Sequence, residues 1–123
     1  MSVEISNFPF FSPQIVQITK TSAGNTWEKL EYTIDPGVIV EIEALEVENE
    51  DSKWGYVTCY IEEVAPRSIA LINGIMHPYP TKGAGAKWFG KIILKGPVKI
   101  VAEFKDTNSG DVLNLKIWTV RLG

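Results

Sequence analysis

Apolar residues in this chain recur at every second position, and no window carries the 3.6-residue apolar stripe of an amphipathic helix. A period of two means strands with one buried face. The alternation restarts roughly every 8–12 residues after a Gly, Pro or Asn cluster, the spacing of an all-β sandwich or barrel. Residues 14–20, 26–34, 38–48, 54–63, 68–76, 91–95, 98–105 and 112–120 read as strands. Val98, Ile100, Ala102 and Phe104 share one face, opposed by Leu113, Leu115 and Ile117. Along 38–48 the apolar phase Val38, Val40, Ile42, Ala44 slips to Leu45, Val47, predicting a β-bulge or a crossing between sheets after Ala44. Residues 77–90 hold two prolines and three glycines among small residues and read as a long irregular loop.

Eight short strands in 123 residues predict an all-β, antiparallel β-sandwich of jelly-roll type, with an immunoglobulin-like sandwich as the alternative. The length suits one domain, residues 1–123. Within it, residues 1–13, with Pro9 and Pro13 among phenylalanines, read as an extended N-terminal arm.

Composition narrows the function classes. Twelve basic against fifteen acidic side chains leave a net charge of −3, without the Lys/Arg surplus that nucleic acid or an anionic membrane surface demands. No apolar run approaches the ~18 residues of a membrane helix. The N-terminus lacks the basic and long apolar regions of a secretory signal, so synthesis in the cytoplasm is expected, with virion association as one later location. Cys59 and His77 are each single, which rules out an intrachain disulfide and a two-histidine metal site within one chain. Lys and Glu dominate the charges and Gln occurs only twice, a bias shared with thermophile proteins.

Three motifs resemble chemistry and fall short of it. Glu41 and Glu43 sit about 6–7 Å apart along a strand, as an acid pair would, but read as a solvated strand face. Residues 106–111 (DTNSGD) resemble a calcium loop without its Gly and Glu positions, leaving at most a weak site at Asp106 and Asp111. Residues 82–87 (KGAGAK) lack the spacing and the following helix of a phosphate loop. No catalytic residue, metal site or cofactor is assigned, and a non-enzymatic protein is expected.

The aromatics carry the expectation instead. Trp54, Tyr56, Tyr60 and Trp118, together with Val101, fall on the phase opposite the core and are candidate interface residues. Tyr79, Trp88 and Phe89, around the 77–90 segment, are candidate ligand platforms. The leading reading is a self-associating structural or assembly protein, such as a small coat, spike or accessory subunit of a virus-like particle, forming a homo-oligomer. The alternative is a carbohydrate- or ligand-binding β-sandwich module using Trp and Tyr platforms, with a carbohydrate or a protein surface as its partner.

Overall fold

The computed structural model describes residues 13–63, 68–80 and 82–123. They form nine strands: β1 (Pro13–Thr21), β2 (Trp27–Ile34), β3 (Ile39–Asn49), β4 (Tyr56–Glu63), β5 (Ser68–Ile75), β6 (His77–Pro78), β7 (Ala84–Lys95), β8 (Val98–Lys105) and β9 (Val112–Arg121). Two sheets result, one ordered β1-β9-β3-β7-β6 and the other β2-β8-β4-β5, and every pairing is antiparallel.

The pairing is nested. β1 pairs with β9, β2 with β8, β3 with β7 and β4 with β5, as though one long hairpin were wrapped into two layers. That is a jelly roll. The immunoglobulin-like alternative pairs its first strand with its second in one sheet, whereas here β1 and β2 lie in different sheets.

Strand alternation delivers the core to the space between the layers. Ile42, Leu45, Val47, Leu115 and Ile117 from the first sheet meet Val57, Cys59, Ile61, Ile100 and Phe104 from the second, all buried. At one end of the sandwich, Asp111 ties the β8–β9 connection to the end of β3 and the β3–β4 connection. Its Oδ2 accepts hydrogen bonds from Asn49 Nδ2 (2.9 Å), Ser52 Oγ (2.8 Å) and the Asn108 amide (3.0 Å). The carboxylate is thus occupied as a loop anchor, and no group of three or more His, Cys, Asp or Glu able to hold a metal occurs among the described residues.

The structure departs from the sequence expectations in four places. Residues 77–90 are not an irregular loop: His77–Pro78 and Ala84 onward form a hairpin, and β7 runs from there to Lys95. The β3 register shift lies between Ile42 and Ala44, ahead of the expected position, and turns Ala44 outward. Trp54 precedes β4 rather than belonging to it. Pro13 belongs to β1, paired with Val120, while the remainder of the expected arm, residues 1–12, lies outside the described residues.

Candidate interaction face

The outer face of the β1-β9-β3-β7-β6 sheet is laid out in rows that cross the strands. One row is apolar: Ile15, Trp118, Ala44 and Phe89 are direct ladder neighbours on β1, β9, β3 and β7. The bulge builds it. A single β3 residue, Glu43, opposes both Gly90 and Lys91 of β7 and has no partner on β9, which brings Ala44 between Trp118 and Phe89. Regular alternation past Ile42 would instead put the acidic Glu43 in the outward ladder position and turn Ala44 inward. The adjoining row holds Pro13, Val120, Glu41 and Ile93. Phe89 is 73% exposed, Ile15 64% and Ile93 61%.

The Trp118 side chain separates two open grooves. One, of about 360 Å³, runs between Trp118 and Phe89 over Ala44. The other, of about 410 Å³, runs between Trp118 and Ile15. Glu43 lines both.

The next rows are polar and internally satisfied. Lys87 and Lys116 lie 3.4 and 3.5 Å from the carboxylate of Glu46, and Lys91 lies 3.2 Å from Glu41. Asn114 Nδ2 donates to Glu48 (2.9 Å) and Glu50 (2.7 Å). Glu41 is therefore ion-paired and the bulge ends its regular spacing from Glu43, which removes the arrangement the acid-pair reading needed. Glu43 is exposed and has no ion pair among the described residues.

The candidate ligand platforms diverge. Tyr79 lies on this outer face, its hydroxyl donating to Glu46 Oε2 at 3.1 Å and packed over Gly85, where a Cβ would sit 2.1 Å from that oxygen. Burial, reinforced by the Glu46 charge, pushes the phenol up to about 12. Trp88 takes the inward phase, half-buried against the core with its ring over Gly90. Of the three, Phe89 alone presents an open ring.

The candidate interface residues divide as well. Trp118 belongs to the face just described, whereas Tyr56 and Tyr60 lie on the outer face of the opposite sheet and Trp54 stands exposed in the β3–β4 connection. Tyr60 Oη donates to Glu103 Oε1 at 2.7 Å, and burial followed by that carboxylate raises its pKa. Val101, between Glu31 and Tyr60 on the ladder, is fully covered. On this second face Trp27, Lys105, Tyr56 and Ile75 form another row across four strands, with Lys105 Nζ 5.8 Å from the Trp27 ring centre.

Ile15 and Ile93 are not singled out by the sequence, and its alternation puts Ala44 on the inward phase with Val38, Val40 and Ile42. The available signal was weak for the two isoleucines, since an apolar residue on the solvent phase of a strand is ordinary when alone, and the bulge that turns Ala44 outward is set by long-range pairing. Only the register shows that they are neighbours.

Comparison with family models and with curated proteins finds no match. Among solved structures, the chain is similar to one from the disulfide-linked pili of Bacillus endospore appendages, with 13% identity and a TM-score of 0.48, covering 100% of this chain and 98% of that one. It is similar to the Drosophila NLP core, with 10% identity and a TM-score of 0.41 over 85% and 96% of the two chains. A third is the virus-like particle of the extra small virus of the prawn Macrobrachium rosenbergii, with 7% identity and a TM-score of 0.43 over 98% and 85%.

Proposed function

We propose that this chain is a self-associating structural protein, a subunit of an assembly such as a coat, spike or particle accessory. The observation that carries the reading is the apolar row Ile15–Trp118–Ala44–Phe89, continued by Ile93 and grooved on both sides of the indole. Burying a large apolar side chain stabilises by about 1.5–3 kcal/mol. Four such groups together match the ~4–15 kcal/mol cost of immobilising a partner. Contiguity matters here, because scattered exposed apolar residues are normal on monomers and a continuous patch is not.

Light scattering on the wild type and two variants tests this. Trp118→Ala should weaken association by roughly tenfold or more, the scale of one central interface aromatic. Trp88→Ala, which alters an inward ring, should lower stability while leaving the association of the folded protein unchanged. Equal effects of both variants on association, or none from Trp118→Ala, would overturn the reading. The carbohydrate-binding alternative has one open ring, Phe89, where it needs a platform. A polysaccharide that changes the tryptophan fluorescence of wild type but not of Phe89→Ala would favour that alternative.

A further inference from the structure

We infer that copies of this chain stack head to tail, the β1-β9-β3-β7-β6 face of one copy against the β2-β8-β4-β5 face of the next. The inference rests on the self-association proposed above and adds which surfaces meet. Each face carries an apolar-rich row, Ile15–Trp118–Ala44–Phe89 on the first, flanked there by Pro13, Val120 and Ile93, and Trp27–Lys105–Tyr56–Ile75 on the second. Both rows cross four strands, so at about 4.8 Å per strand each is roughly 14 Å wide, and the two match in extent.

Charge decides between stacking modes. Beside its apolar row the first face has Glu43, exposed and without an ion pair among the described residues, while the cations flanking that row, Lys87, Lys91 and Lys116, are held by Glu46 and Glu41. The exposed Lys95 lies farther off, at the end of β7 beyond Ile93. The second row has the exposed Lys105 ammonium over Trp27, with no carboxylate in ion-pairing distance among the described residues. A two-fold contact of the first face with itself, centred on this row, would bring two Glu43 carboxylates together under cover. A two-fold contact of the second centred on its row would do the same to two Lys105 ammoniums, the exposed Glu62 lying at the far end of β4. Like charges opposed in a desolvated contact are costly. Of the contacts that lay row on row, the mixed one sets Glu43 against Lys105.

The two faces lie on opposite sides of one sandwich, so a copy engaged through one still offers the other. Such a heterologous contact repeats, giving a ring if the rotation closes and a filament if it does not.

Two singly blocked variants separate the possibilities. Phe89→Glu blocks the first face and Trp27→Glu the second, both at exposed positions that the core does not use. Head-to-tail stacking makes each variant monomeric alone, while their equimolar mixture gives a heterodimer of twice the monomer mass and nothing larger. If either variant alone still dimerises and mixing adds no new species, the contact is two-fold and the inference is overturned, though self-association stands. If wild type is itself monomeric, both proposals fall. A second arm is independent of apolar substitutions. Glu43→Lys should weaken wild-type association at least tenfold, and adding Lys105→Glu in the same chain should restore it. Failure of the double reversal to restore association also overturns the pairing, provided far-ultraviolet dichroism shows both variants folded.

Discussion

Glu28 is the most constrained ionisable side chain in the described residues. It sits on the inward phase of β2 with Leu30 and Ile34 and is 1% exposed. Its Oε1 accepts from the amides of Ala23 (2.9 Å) and Asn25 (3.3 Å), and Lys20 Nζ stands 2.9 Å from Oε2. The Lys20 interaction, aided by the two amides and opposed by burial, lowers its pKa from 4.5 to about 2. A depressed acid stabilises the fold above its unfolded value, so this contribution is complete above pH 4.5 and disappears as the pH falls through 2. Glu28→Gln should cost about 1–3 kcal/mol at neutral pH and flatten acid denaturation across that window, as read by urea melts at several pH values. Cys59 behaves oppositely. Full burial pushes its thiol up to about 12, so labelling by a thiol reagent should be slow and should follow global unfolding. Prompt labelling of folded protein would contradict its place in the core. The alternation of Val57, Cys59 and Ile61 made that burial legible in the sequence. Glu28 was hidden by the same alternation, because an acid on an apolar phase looks like an error until the Lys20 and loop amides are in place.

At the scale of elements, the β6–β7 hairpin shows where sequence reasoning stopped. Small and turn-forming residues in 77–90 carry no period, since Gly85 and Ala84 have little side chain to alternate. Their smallness has packing reasons instead. Gly85 accommodates the Tyr79 phenol, and Gly83, at φ +73°, places its Cα where a Cβ would lie 2.2 Å from the Asn49 carbonyl oxygen. Gly83→Ala should therefore cost more than the ~1–2 kcal/mol of a left-handed conformation alone, a clear drop in melting temperature. A melting temperature unchanged from wild type would mean the hairpin closes otherwise. Tyr79 adds a pH test: its pKa rises from 10 to about 12, so its contribution is whole below pH 10 and is lost as the pH climbs through 12. In β3 the bulge itself was legible as a change of phase, but its position two residues earlier was not. The bulge is fixed by pairing with β7 and β9, partners more than 40 residues away in the chain.

For the whole molecule, the layered fold was legible because every strand declares its inward side, and the strand count then favours a jelly roll. Sheet order was not, since nesting β1 against β9 is a long-range choice that alternation does not encode. The interface candidates show the same limit. Sequence phase identified Trp118, Tyr56 and Tyr60 as outward, yet not that two opposite sheets carry them, nor that Ile15, Ala44 and Phe89 align with Trp118. Among the described residues no helix is long and apolar enough to cross a membrane. The account stands on the outer apolar face being covered by another copy. Sedimentation equilibrium across the micromolar range tests it most directly. A mass that rises with concentration, or a fixed multiple of 13.7 kDa, is the expected result. A single 13.7 kDa species at every concentration would contradict it.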